Sequence, residues 1–363
     1  MLFSHSQALF AEIQMPVLAT SMGAVLTLFV KTCGFRYQWC RGPQAHHTHK
    51  NPVPRLGGIA VYLAIVLAIA ALTYALGLRT ALPALAIVAA VVPVLLVGFY
   101  DDIRFATPKS KVLAQLAGAA LLLAAHRYLF GGVSLYELLW MPVWLVVTTN
   151  SFNLVDGVDG LASSTAVVMA LALAAIHLVA GNIAFAFLAL FTAAACLGFL
   201  PFNIFGHRIF LGDSGSLSIG FILGALAIEV PRGDSSIPWV AIAMFGYPLS
   251  ETVLTIVRRT LKGRNPFRPD REHLHHKLRH ARLSNLRAVA VLCFVNAAFA
   301  AIGVMLALGA SRWISVAGIV VLFLATAKSF GYLRARNLAK LRRRLGASRP
   351  EPLPDIAGYL PFK

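Results

Sequence analysis

The chain has 363 residues, of which 58% are hydrophobic and only 13% are charged, and its mean hydropathy is +0.75. About a quarter of the residues of a soluble domain are charged, so this composition excludes an ordinary soluble enzyme, as well as a disordered, collagen-like or disulfide-scaffold protein. The net charge is +18, and in so apolar a chain this excess indicates a membrane surface as partner rather than nucleic acid.

Apolar runs long enough to cross a bilayer follow one another along the whole chain. Backbone groups in hydrocarbon must be hydrogen-bonded within their own segment, so we interpret these runs as helices. The eleven predicted spans are 15–33, 57–77, 81–100, 112–126, 135–150, 161–180, 183–205, 215–231, 237–257, 287–309 and 312–330. The predicted fold is an all-α polytopic membrane protein with one integral membrane domain over 1–332 and a basic, proline-containing tail over 333–363.

The basic residues predict the orientation of these spans. With the N-terminus outside and the C-terminus inside, 28 of the 32 Lys and Arg residues fall on the cytoplasmic side and 4 on the outer side. An error of one span would destroy this asymmetry. We therefore predict a multi-pass membrane protein with the N-terminus outside and the C-terminus inside, in contact with membrane lipids.

Five acidic residues fall in three short predicted loops, each beside the end of a predicted helix and all predicted on the cytoplasmic face. They are Asp101, Asp102, Asp156, Asp159 and Asp213. Carboxylates at the edge of a membrane are costly, so their convergence on one face predicts a functional site. The alternative is that each is a solvated helix cap.

Clustered carboxylates repel one another unless a cation or basic groups offset them. Mg²⁺ prefers oxygen ligands and is usually coordinated by one or two carboxylates together with substrate phosphates, and Mn²⁺ can replace it. Lys111, Arg104 and the basic segment 269–278 are predicted on the same face and would bind phosphate. This combination predicts phosphoryl-type transfer at the membrane surface.

The first segment is GFYDDIRFATPKSKVLAQ, residues 98–115. Asp101 and Asp102 are adjacent and therefore point in different directions. One of them can contact a metal while the other serves as a base or a binding group.

The second segment is TTNSFNLVDGVDGLA, residues 148–162. Asn150, Asn153, Asp156 and Asp159 recur every three residues, which at helical spacing places them on one face. A polar cap before the next span is the alternative.

The third segment is FLPFNIFGHRIFLGDSGSLSIG, residues 199–220, and contains Asn203, Arg208 and Asp213. A helix is predicted to begin at the glycine- and serine-rich stretch around Asp213. Its free N–H groups and positive dipole end favour a phosphate or a metal-bound phosphate. An Asp N-cap is the alternative.

Two histidine-rich segments complete the set. His273, His275 and His276 lie in PDREHLHHKL, where contacts with phosphate or a nucleotide are favoured over zinc, since adjacent histidines do not easily share one tetrahedral ion. HHTHKNPVPRLGG, with His46 and His47, is interpreted as a loop that contacts substrate phosphate.

In order and combination, GFYDDIR, NSFNLVDGVDGLA, FNIFGHRIFLGDSGS and HLHH resemble the polyprenyl-phosphate N-acetylhexosamine-1-phosphate transferases of glycosyltransferase family 4, especially the branch that uses N-acetylglucosamine (GlcNAc). The resemblance implies Mg²⁺-dependent transfer of a sugar 1-phosphate from a UDP-N-acetylhexosamine to undecaprenyl phosphate, with release of UMP, at the start of O-antigen or other envelope polysaccharide synthesis. It also implies a location in a bacterial inner (cytoplasmic) membrane. Dimers occur in the family, so a homodimer stays an open possibility for this chain.

The resemblance assigns roles to individual residues. Catalytic roles go to Asp101, Asp102, Lys111, Asp156 and Asp159; substrate binding to Asn150, Asn153, Asn203, Arg208, His273, His275 and His276; and Mg²⁺ to Asp213.

Several alternatives stay open at this point. The sugar could be another N-acetylhexosamine (GalNAc, FucNAc or QuiNAc) or phospho-MurNAc-pentapeptide, and the transfer could pass through an aspartyl intermediate. A secondary transporter for an anionic solute, or a binding-only membrane scaffold, is the alternative from another class.

Overall fold

The computed structural model describes residues 5–37, 40–41, 53–205, 209–230, 238–261 and 284–329. Within these ranges the helices are α1 (His5–Arg36), α2 (Gly57–Leu76), α3 (Leu78–Ile103), α4 (Pro108–Phe130), α5 (Leu135–Val155), α6 (Leu161–Val179), α7 (Ile183–Ile204), α8 (Gly212–Ile228), α9 (Trp239–Met244), α10 (Gly246–Leu261), α11 (Asn285–Ala307) and α12 (Arg312–Ser329). Two short strands, β1 (Cys40–Arg41) and β2 (Val53–Pro54), pair antiparallel.

The helices confirm an all-α membrane fold. Among the described residues, eight helices are long and apolar enough to cross a membrane, namely α1 to α7 and α11. The remaining predicted spans fall on α8, which is apolar but has 17 residues, on α9 with α10, and on α12. The count of eleven crossings and the orientation stay predictions.

The ninth predicted span is wrong as a single helix, because the structure divides it into α9 and α10 at Phe245. Pro248 lies in the first turn of α10. Its ring cannot donate a backbone hydrogen bond and would collide with the carbonyl of residue 244 in a continuous helix. A proline is tolerated in a first turn, so the chain starts a new helix here.

Helix α8 lies at the centre of the bundle, where every residue from Gly212 to Ile228 except Asp213 is buried. It packs against α2, α3 and α5. Glycines allow this close approach: a methyl group at Gly58 would overlap the backbone of Gly215, and one at Gly98 would lie 2.7 Å from the Ser214 Cα.

The segment before α8 is held by the segment before α2. The Phe210 N–H donates to the Pro54 carbonyl at 2.9 Å, and the N–H groups of Gly57 and Gly58 donate to the carbonyls of Phe210 and Leu211 at 2.9 and 2.8 Å. The N-terminus of α8 is therefore fixed beside the ends of α2 and α3. This arrangement brings the first and third acidic segments, at the end of α3 and the start of α8, to the same end of the bundle.

Candidate active site

Asp101 and Asp102 lie in the last turn of α3 and Asp213 lies in the first turn of α8, so the prediction of loops at these three acids is wrong. Asp102 is only 3% exposed. Its two carboxylate oxygens accept the backbone N–H groups of Asp213 and Ser214 at 2.8 and 2.9 Å. These N–H groups belong to the first turn of α8, where a helix has no internal acceptor for them. Asp102 thus caps α8 from another helix and holds the backbone of Asp213 in place.

Lys111 joins the first acidic segment to the third. It lies in the first turn of α4, which Thr107 caps through its side chain. Its Nζ forms an ion pair with Asp101 Oδ2 at 3.2 Å and a closer one with Asp213 Oδ2. The other oxygen of Asp101 accepts the Ala106 N–H at 2.8 Å. The adjacent acids therefore do point in different directions, with Asp101 facing the lysine and Asp102 facing the α8 backbone.

The second acidic segment is only partly helical. Helix α5 ends at Val155, so Asn150 and Asn153 lie on it, whereas Asp156 and Asp159 lie in the turn before α6. The predicted single helical face of four residues is wrong for the two acids. The side-chain oxygen Oδ1 of Asn153 accepts a hydrogen bond from the Ser216 hydroxyl of α8 at 2.7 Å.

The clustered carboxylates repel one another, and this is clearest at Asp156. The pKa of Asp156 is raised to about 8, mainly by burial and then by the negative charges of Asp213, Asp102 and Asp159, while Arg55 lowers it. Like charges that share a site disfavour ionisation of one member. A bound cation would relieve this repulsion.

Two amides predicted to bind substrate contact the protein itself. Asn203 is 4% exposed. Its side chain accepts the Gly160 N–H at 2.5 Å and donates to the Ile209 carbonyl at 3.1 Å. It therefore joins the acidic turn, which is the turn between α5 and α6 with Asp156 and Asp159, to the segment before α8. Asn150 donates to Gln115 Oε1 of α4 at 2.8 Å. Both amides have a visible structural role.

The carboxylates present suit Mg²⁺ better than a metal ion that must be coordinated entirely by protein side chains. Within the described ranges, no group of three or more His, Cys, Asp or Glu side chains could hold a metal ion. Mg²⁺ needs only one or two carboxylates when substrate phosphates complete its shell. The Asp213 side chain is 26% exposed, so its carboxylate is within reach of such a ligand.

Some predicted residues lie outside the described residues, namely Arg208, His273, His275, His276, His46 and His47. Gln115, which accepts a hydrogen bond from Asn150, was not singled out from the sequence, although its position one helical turn after Lys111 was a usable signal. Arg55 and Ser216 lie in segments that the sequence did single out, but no individual role was predicted for them.

The chain is similar to known proteins over most of its length. A model of the family described as "Glycosyl transferase family 4" matches residues 84–230. A decaprenyl-phosphate N-acetylglucosaminephosphotransferase of Mycolicibacterium smegmatis is 31% identical over 74% of this chain and 76% of its own length.

Two further relatives cover more of the chain. A probable undecaprenyl-phosphate N-acetylglucosaminyl 1-phosphate transferase of Bacillus subtilis is 29% identical over 83% of this chain and 86% of its own length. The undecaprenyl-phosphate alpha-N-acetylglucosaminyl 1-phosphate transferase of Escherichia coli K12 is 29% identical over 85% of this chain and 88% of its own length.

Proposed function

Because this chain belongs to glycosyl transferase family 4, we propose that it transfers GlcNAc-1-phosphate from UDP-GlcNAc to undecaprenyl phosphate and releases UMP. The observation that carries the proposal is the contact of Lys111 with both Asp101 and Asp213, at the end of the bundle where Asp102, Asp156 and Asp159 also lie. The relatives' names supply the sugar and the polyprenyl phosphate.

The reaction is a displacement at the β-phosphorus of the UDP-sugar. An oxygen of the acceptor phosphate attacks that phosphorus and forms the new P–O bond. The bond from the β-phosphorus to the oxygen that bridges it to the α-phosphate breaks, and its electron pair leaves with UMP. Charge builds up on phosphate oxygens, so catalysis depends on positioning and on positive charge aimed at them.

The side chains divide this work. Lys111 offers a flexible ammonium group, and Asp101 and Asp213 hold it in the site until phosphate arrives. Asp213 would hold Mg²⁺ together with the diphosphate. When bound, Mg²⁺ supplies positive charge that stabilises the phosphates and the departing UMP. Asp102 and Asn203 keep the N-terminus of α8 and the acidic turn in position.

The test is UMP release by purified protein from UDP-GlcNAc and undecaprenyl phosphate. We expect release to require both substrates, to stop with excess EDTA and to return with Mg²⁺. UDP-GalNAc serves as the matched donor control and should react more slowly. Absence of UMP with every UDP-N-acetylhexosamine tried would contradict the proposal, and solute uptake without UMP release would favour the transporter alternative.

We also propose that the acidic end of the bundle faces the cytoplasm of a bacterial inner membrane, where UDP-sugars are made, and that the product begins an envelope polysaccharide. The 28-to-4 distribution of basic residues supports this orientation. Reporter fusions after Arg104, beside the acids, should read as cytoplasmic, and fusions after Gly132, at the other end of α4, as periplasmic. The reverse pattern would contradict the orientation.

A further inference from the structure

Gln115 has a buried hydrogen-bond donor that the described part of the protein leaves unused. The side chain is completely buried in α4. Its Oε1 accepts from Asn150 Nδ2 at 2.8 Å, and its Nε2 has no hydrogen-bond partner among the described residues. A buried N–H group without a partner is destabilising, so such groups call for an explanation.

The orientation of the Gln115 amide follows from its partner. Asn150 Nδ2 also donates to the Val146 carbonyl at 2.7 Å, which identifies that atom as the nitrogen. If the Gln115 amide were flipped, two NH₂ groups would face each other with no acceptor between them. The oxygen of Gln115 therefore faces α5, and its NH₂ group is the free end.

The position of Gln115 relates it to the site. Gln115 lies four residues after Lys111, so both are on one face of α4, and Gln115 is about 6 Å further along the helix, away from the acidic end. Among the described residues of α4, the buried ones are Gln115, Gly118, Ala119 and Leu122. Only one face of α4 packs on the bundle, and a ligand would reach Gln115 through an outward shift of this helix.

The two substrates approach from different sides. The UDP-sugar comes from water, whereas the acceptor phosphate is attached to a chain that stays in the bilayer. A donor one turn deeper than Lys111 lies on the side from which the acceptor arrives. At this depth a neutral amide is less costly to bury than a second charged group.

We propose that the Gln115 Nε2 group donates a hydrogen bond to a phosphate oxygen of the polyprenyl-phosphate acceptor, which makes Gln115 an acceptor-binding residue. This inference rests on the proposed function. Asn150 holds the amide in the orientation that this contact needs.

The test compares Gln115→Met, which keeps the length of the side chain and removes the amide, with the unmodified protein. Loss of one hydrogen bond should raise the KM for undecaprenyl phosphate about tenfold and leave the KM for UDP-GlcNAc nearly unchanged. The matched control is Asn296→Leu, which removes another buried amide with an unpaired atom, on α11. It should leave both KM values as they are.

Asn150→Ala separates donation to the acceptor from a purely structural contact between α4 and α5. Like Gln115→Met, it removes the hydrogen bond between Asn150 and Gln115, but it keeps the NH₂ group of Gln115. Its effect on the acceptor KM should therefore be clearly smaller than that of Gln115→Met. An equal effect, or an unchanged acceptor KM in Gln115→Met, would overturn the proposal.

If Gln115→Met does not fold, Gln115→Asn, which withdraws the amide by one methylene, takes its place with the same expectation. Failure of the proposed function would be seen differently, as absence of UMP release by the unmodified protein.

Discussion

Asp213→Asn is expected to lower UMP release to below about 1% of that of the unmodified protein while the chain still folds. The substitution keeps the shape of the side chain and the backbone N–H that Asp102 accepts. It removes the charge that pairs with Lys111 and that would hold Mg²⁺. The measurement is UMP release at saturating Mg²⁺, with size-exclusion elution in detergent as the check on folding.

Glu229→Gln is the matched control for this substitution. Glu229 follows the last residue of α8, the helix that begins beside Asp213, and so lies at the end away from the acids. Its Oε1 is 3.4 Å from His126 Nδ1. Neutralising it should preserve most of the turnover. If Asp213→Asn retained more than a few per cent of the activity at saturating Mg²⁺, Asp213 would not be the essential metal ligand.

Asp102→Asn should lower both stability and rate, whereas Asp101→Asn should lower mainly the rate. Asparagine offers one acceptor oxygen where Asp102 uses two, so one N–H of the first α8 turn loses its partner and faces an NH₂ group. A buried unsatisfied group of this kind costs about 1–3 kcal/mol in the free energy of unfolding. The backbone of Asp213 would also lose its fixed position.

Asp101→Asn serves as the comparison within the same pair. Its retained oxygen can still accept the Ala106 N–H, while the charge that faces Lys111 is lost. Thermal unfolding in detergent should therefore shift for Asp102→Asn and change little for Asp101→Asn, and UMP release should fall in both. Equal thermal stability of the two variants would show that the cap of α8 does not depend on Asp102.

The break between α9 and α10 and the length of α5 illustrate where sequence patterns stop being informative. Pro248 was visible in the ninth apolar run, but an apolar window does not show whether a proline kinks a helix or begins a new one. Helix α5 continues to Val155 because Asn150 and Asn153 find partners on α4 and α8. Polar residues at the end of an apolar run indicate a boundary only when such partners are absent.

By itself the sequence determined the helical membrane fold, the order of the acidic segments and the class of chemistry. These follow from local physics, because apolar runs in a bilayer must satisfy their own backbone and clustered carboxylates need a cation. The roles of individual side chains were decided only by the tertiary structure. Asp102 accepts N–H groups 111 and 112 residues away, and Asn203 contacts Gly160, 43 residues away. Hydrogen bonds act over about 3 Å, so which groups meet depends on how the helices pack, and that packing is not a local property of the chain.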